Sequence, residues 1–218
     1  MKKSRSQEPD LGRYGKLAEY NRKRRFDVTP EPSGKVGRAK DKAREFVIQK
    51  HRASQLHYDF RLEHDGVMLS WAVPKGPSLD PSVKRFAMQT EDHPIDYNQF
   101  EGVIPEGEYG GGTVMIWDHG TWEPEVDDVD RALEKGDLKF KLHGKKLRGS
   151  WVLVRMRSRQ WLLIKHRDAA ASTDDVTASK NRSVVSRRTL GAIAKAAGAS
   201  AKQLEEAKKA DAPAEPAR

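Results

Sequence analysis

The sequence predicts a mainly β protein, a compact β-barrel with short peripheral helices and flexible basic tails. Three observations carry this. Short runs of alternating apolar and polar residues recur through the middle of the chain, separated by turn signals. All five Trp and all seven His fall between residues 46 and 168, so that segment can build a core. The two ends are rich in charge and poor in large apolar side chains. The strands follow in order. Residues 46–50 form a short strand. Residues 56–64 alternate, Asp65-Gly66 makes a tight turn, and residues 67–73 return as the second arm of a hairpin. Residues 86–89 form another short strand. Residues 113–117 and 121–123 read as two strands about a His119-Gly120 turn. Residues 138–142 alternate before Gly144, and 151–156 with 161–165 form a last hairpin. One helix is predicted over 129–135, with Asp127 and Asp128 near its start. The expected organisation is a flexible basic extension over 1–23, the barrel over 24–168, and an Ala/Lys/Glu-rich tail over 169–218. Residues 188–210 of that tail have weak helical amphipathicity, and 213–216 read as disorder.

The chain has 218 residues, 33% of them charged, and a formal net charge of +9. No apolar run is long enough to cross a bilayer as a helix, and no apolar stretch follows the basic start as it would in a secretory signal. With no cysteine, disulfides, zinc–thiolate sites and cysteine nucleophiles are all excluded. A soluble cytoplasmic monomer without a membrane partner is expected. The charge is uneven: residues 1–45 carry +7, residues 46–168 carry −1 and residues 169–218 carry +3. That placement predicts that the flanks grip a polyanion without sequence preference. It also predicts that trimming residues 1–23 and 172–218 weakens binding but spares turnover.

Chemistry concentrates in the run from His51 to Arg61. On a strand, His57, Asp59 and Arg61 share one face, while Tyr58, Phe60 and Leu62 share the other. Two imidazoles and a carboxylate are ligand types for a divalent transition metal. A neighbouring guanidinium suits a phosphate, whose two oxygens match its donors. The competing reading is a half-exposed strand with one wet polar face. Lys75 lies in a Pro/Gly turn, Arg85 opens a strand, and each taken alone reads as a surface cation. His93 precedes a proline, whose stiffness aims the ring, and it is a candidate general acid. The glycines of 102–112 lack the Gly-Lys-Ser/Thr ending of a P-loop and are read as turn formers.

Residues 46–51 and 57–62, Ser70-Trp71-Ala72-Val73-Pro74-Lys75-Gly76-Pro77, Glu91-Asp92-His93-Pro94-Ile95-Asp96-Tyr97 and the run from Phe100 to Gly110 closely resemble the 3'-phosphoesterase domain of bacterial and archaeal DNA ligase D. The resemblance runs from about Arg24 to Asp168. It implies a β-barrel that binds a manganese-type divalent metal, with Zn2+ or Co2+ as alternatives. It implies two steps at a DNA primer-template 3' end: removal of a terminal ribonucleoside, then of the 3'-phosphate, leaving a 3'-hydroxyl. By position it puts the metal ligands on His51, His57 and Asp59, and the phosphate-holding groups on Arg61, Lys75, Arg85, His93 and Tyr97. In the flank before the barrel, Arg24 and Glu31 match the family pattern for the ribonucleoside step, while Arg25 stands where that pattern has an acidic residue. No Lys-x-Asp-Gly nucleotidyl-transfer motif is present, so a stand-alone end-processing protein is expected, with Ku and a separate DNA ligase or polymerase as partners. A non-catalytic DNA-end-binding module and a metal phosphodiesterase for RNA or small nucleotides are the alternatives.

Overall fold

Asp65 and Gly66 both take positive φ, 48° and 79°, so two residues suffice to reverse the chain between strands β2 (Leu56–His64) and β3 (Val67–Val73). The protein is described by a computed structural model over residues 15–37 and 43–211; residues 213–216 and the first part of the predicted basic extension lie outside the described residues. The other strands are β1 (Arg44–Arg52), β4 (Arg85–Gln89), β5 (Gly102–Ile104), β6 (Gly112–Pro124), β7 (Asp137–Gly144), β8 (Arg148–Arg157) and β9 (Gln160–Lys165). Their order is β1-β2-β3-β4-β9-β8-β7-β6, and β6 pairs back onto β1, which closes an eight-stranded antiparallel barrel. β5 is added to β6 outside that ring.

The alternation read from the sequence sets the two faces of the wall. Phe46, Ile48, Tyr58, Phe60 and Leu62 point into one cluster with all five tryptophans. Each of those tryptophans is almost fully buried, contributing roughly 1.5–3 kcal/mol or more of apolar transfer free energy. The opposite, outward residues of β1 and β2 are not wet. Gln49, His51, Asp59 and Arg61 are buried there too, beneath loops and the N-terminal segment.

Two strand readings change. β6 runs unbroken for 13 residues, with no turn at His119-Gly120. Gly120 lies opposite Gly144, and a Cβ on it would fall 2.1 Å from the His143 carbonyl oxygen. The glycine serves close strand approach, not reversal. β5 lies inside the segment expected to be only turns. The helix α2 (Val129–Lys135) matches its prediction, with the Asp128 carboxylate accepting from the Arg131 N–H and Gly136 closing it at φ 77°.

The flanks depart most from expectation. Helix α1 (Ala18–Arg22) and the residue before it bury Leu17 and Tyr20 against Val67 and Tyr97. At the other end, α3 (Val176–Ser179), α4 (Leu190–Ala196) and α5 (Ala201–Asp211) pack on the barrel, and Leu190, Ile193, Ala194, Ala207 and Ala210 join its core. Gly198, at φ 68°, separates α4 from α5 where one helix was predicted. The Lys50 Nζ donates to the Ala210 carbonyl at 2.6 Å, and the Asp211 carboxylate accepts from the Leu190 and Gly191 N–H groups at 2.8 Å each. Residues 172–218, expected to serve as a tail whose trimming weakens binding but spares turnover, thus include part of the packed core: their small alanines allow close packing that a scan for large apolar residues passes over. None of the helices among the described residues is long and apolar enough to cross a membrane.

Asp211→Ala leaves the Leu190 and Gly191 N–H groups at the start of α4 without their carboxylate acceptor and should destabilise the protein by about 1 kcal/mol in urea unfolding. Deleting residues 190–211 should abolish the cooperative transition. A truncated chain that melts like the full one would contradict this docking.

Candidate metal centre and anion cavity

Strand register builds the centre. β1 and β2 pair His51 directly with His57 and Gln49 with Asp59, so four polar side chains meet on the outer wall. The His51 Nδ1 lies 3.5 Å and the His57 Nε2 3.7 Å from the Asp59 Oδ2. The other nitrogen of each ring meets a backbone carbonyl: His51 Nε2 at 2.9 Å from the Gly110 oxygen, and His57 Nδ1 at 3.1 Å from the Gln55 oxygen. A carbonyl only accepts, so those nitrogens carry the protons. The inner nitrogens face the carboxylate: protonated, they donate to Asp59, and on losing that proton they offer lone pairs to a metal. Fixing the tautomer through the outer nitrogen is how metal-binding imidazoles are commonly oriented. The ligand atoms of His51, His57 and Asp59 lie within 4.8 Å of one another, and this donor set fits a divalent transition metal.

Charge around the centre is balanced without a metal as well. Burial alone would push the Asp59 carboxyl up, but the Arg61 guanidinium and hydrogen bonds from His51 and His57 hold it well below the usual carboxylate range. Burial disfavours the charged form of His57, yet Asp59 outweighs it and raises that imidazole. Arg61 is locked on three sides. Its Nη2 lies 3.2 Å from Asp59, its Nε donates to Gln49 at 3.0 Å, and its Nη1 donates to the Ser70 hydroxyl at 2.8 Å.

A second layer comes from the N-terminal segment and the loop after β4. The Arg24 Nε donates to Glu31 at 2.8 Å, and its Nη1 lies 3.3 Å from Glu91. Its Nη2 lies 3.3 Å from the His93 Nε2. The His93 Nδ1 donates to the Glu91 carbonyl at 2.9 Å, leaving Nε2 as the acceptor. Burial, then Arg61 and Arg24, hold His93 well below the usual imidazole value, so the ring is neutral at rest. Arg24, His51, His57, Asp59, Arg61, His93 and Tyr97 line one cavity of about 230 Å3.

Other predicted residues sit differently. The Tyr97 hydroxyl donates to Glu31 at 3.0 Å, and burial raises its pKa well above the usual phenol value. It is an orienting group rather than a free donor to phosphate. Glu31 is buried behind Arg24, taking bonds from Arg24, Tyr97 and the Thr29 hydroxyl, and is not among the cavity-lining residues. Lys75 and Arg85 are also outside the lining. Lys75 is exposed on the turn after β3. Arg85 begins β4 while Thr90, just past its other end, lines the cavity; five extended residues span about 16 Å. Arg85 instead lines a separate cavity of about 130 Å3 with Asp80 and Asp175. Arg25, the departure from the family pattern, pairs with Glu108 at the protein surface. Sequence reading missed Gln49, Ser70, Glu91, Tyr109 and Gly110. Gln49 alone had a usable signal, since it shares a strand face with His51.

Fold and site together define a closed β-barrel protein with a His-His-Asp triad that could hold a metal, set beside two guanidiniums in one small cavity. Residues 49–155 match the DNA ligase D 3'-phosphoesterase domain, and the chain belongs to that family. It is 56% identical over 183 residues to the multifunctional non-homologous end joining protein LigD of Pseudomonas aeruginosa, covering 80% of this chain and 22% of that protein. Over 147 residues it is 45% identical to LigD of Mycobacterium tuberculosis H37Rv, covering 67% and 19%. Over 158 residues it is 42% identical to LigD of Mycolicibacterium smegmatis, covering 70% and 21%. The chain thus spans about a fifth of the length of these relatives.

Asp92, beside His93, is pushed up to about 6 by burial, with Glu19 and Glu91 adding to the rise and Lys16 and His64 opposing it. Its folded pKa exceeds its unfolded one, so stability falls as pH rises from about 4 to about 6. Asp92→Asn should match the wild type near pH 4 and be more stable by about 1 kcal/mol at pH 7.5. Equal urea midpoints at both pH values would contradict this.

Proposed function

We propose that the protein is a divalent-metal-dependent DNA 3'-phosphoesterase that removes a 3'-phosphate from a primer-template end and leaves a 3'-hydroxyl. The observation that carries this is the convergence of His51, His57 and Asp59 with Arg61, Arg24 and His93 in one cavity. A divalent ion held by the triad, most simply Mn2+, supplies Lewis-acid polarisation of a phosphate oxygen. The chain's own residues do the rest. Arg61, fixed by Asp59, Gln49 and Ser70, presents a guanidinium that needs no reorganisation as charge grows on the phosphate. Arg24 approaches from the opposite layer. A phosphate dianion between the two offsets the Arg61 and Arg24 charges that, after burial, hold His93 low. The His93 Nε2, the acceptor nitrogen of the ring, then takes a proton from the attacking water as the P–O bond breaks, and the departing 3' oxygen takes its proton from solvent.

Removal of a 3'-terminal ribonucleoside is proposed as a preceding step at the same cavity, with Arg24 oriented by Glu31 toward the ribose. Arg25, held by Glu108, takes no acidic role in it. The names of the relatives place them in non-homologous end joining. We extend that setting to this chain, with Ku and a separate ligase or polymerase as partners.

A 3'-phosphate primer-template with Mn2+ should release inorganic phosphate. His57→Ala and Arg61→Ala should each lower kcat by on the order of 10²–10³, in the range of other preorganised electrostatic groups. Phosphate release that is unchanged in His57→Ala, or that survives chelation, would overturn the proposal. A primer ending in one ribonucleotide should pass through a 3'-phosphate before the 3'-hydroxyl.

A further inference from the structure

We propose that Tyr109 is a stacking platform for the nucleobase of the 3'-terminal nucleoside, placed at the mouth of the cavity. The inference rests on the phosphoesterase reading above and names the part of the substrate beside the scissile phosphate.

Among the described residues, five large hydrophobic side chains are exposed, and of these only Tyr109, at 46%, lines the triad's cavity. An aromatic ring is normally covered; this one is left open where a flat partner can approach. It is also held in place. The Lys23 Nζ donates to its hydroxyl at 3.2 Å and lies 4.7 Å from the ring centroid, and the Arg24 Cζ lies 5.3 Å from that centroid. Both cations are anchored in turn, Lys23 by Glu91 and Arg24 by Glu31. The ring is thus pre-ordered before any ligand arrives, and little side-chain entropy remains to be lost on stacking.

The backbone links this ring to the centre. Gly107 and Gly110, at φ 86° and 76°, fold the loop back on itself, and the Gly111 N–H donates to the Glu108 carbonyl at 3.0 Å. Gly110, the next residue, sends its carbonyl to the His51 ring. One peptide unit therefore joins the platform to the triad. A 3'-phosphate is likewise joined to its own base by a single sugar. The chemistry of the surroundings selects a nucleobase over a plain apolar group, because the ring lies in a cationic wall where a π-face beside a phosphate is accommodated. Stacking of this kind tolerates any base.

Two experiments test this together. The first is binding without turnover. A 3'-phosphate primer-template with 2-aminopurine as its terminal base is titrated with protein in EDTA. Stacking on the wild-type ring should quench its fluorescence relative to Tyr109→Leu, while Tyr109→Phe should behave as wild type. The second is steady-state kinetics with Mn2+, comparing a terminal nucleoside 3'-phosphate with its abasic counterpart. Wild type should favour the base-bearing end by about 5- to 150-fold in KM, the range for one base stacked on an aromatic side chain. Tyr109→Leu should lose that preference, and Tyr109→Phe should keep it. An undiminished preference and the same fluorescence change in Tyr109→Leu would overturn the platform while leaving the phosphoesterase reading intact. Conversely, a wild type that stacks 2-aminopurine but releases no phosphate would remove the reading of the reaction and leave the platform standing.

Discussion

The Asp59 carboxylate lies on the outer wall of the barrel yet is almost fully covered, and much of the site follows from keeping it charged there. A buried ion without partners costs several kcal/mol, so its neighbours are constrained to be cationic or to donate hydrogen bonds. Antiparallel register supplies them: His51 and His57 face each other across the strands, and Arg61 follows on the same face two residues beyond Asp59. The same three groups that satisfy the carboxylate are those a metal and a phosphate need. Structural balance and chemistry are one arrangement here. A divalent ion would take over part of the neutralisation now provided by the imidazoles and Arg61.

That arrangement depends on a roof. The outward faces of β1 and β2 would be a wet polar strip if the N-terminal segment did not cross them. Tyr20 packs edge-on against both His93 and Tyr97, and the Arg24 guanidinium sits 3.8 Å from the Tyr20 ring centroid. The Tyr20 hydroxyl donates to the Pro32 carbonyl, which ties the start of the segment to its end. Glu31 gathers Arg24, Thr29 and Tyr97 onto one carboxylate. Covering the strip lowers the local dielectric, which strengthens each charge interaction inside the cavity. The N-terminal basic segment, read by charge alone as a duplex-gripping tail, contributes Arg24 to the lining of the triad's cavity.

Most of the strands were legible because the barrel interior imposes a two-residue period that the sequence keeps. Leu56–His64 and Val67–Val73 match their predicted limits, and the Asp65-Gly66 turn fixes their register. The triad was legible for the same reason, since His57 and Asp59 share a strand face. What the sequence hides is non-local. Nothing in the neighbourhood of Glu91 or Gln49 says that one will hold Arg24 and the other Arg61, because those contacts join segments 67 and 12 positions apart. Lys75 and Arg85 show the converse: family resemblance gathered them into the phosphate group, but strand length carries Arg85 to the far end of β4. Gly120 was misread because a glycine needed for close approach looks like one needed for a turn.

On the proposal made here, one divalent ion would be held by His51, His57 and Asp59 through the inner ring nitrogens and the carboxylate. The most direct measurement is an anomalous difference map from crystals soaked in Mn2+. The account predicts a single strong peak bonded to the His51 Nδ1, the His57 Nε2 and an Asp59 oxygen, with the Gly110 and Gln55 carbonyls still on the outer ring nitrogens. A peak elsewhere, or one reached through the outer nitrogens with those carbonyl contacts broken, would contradict it.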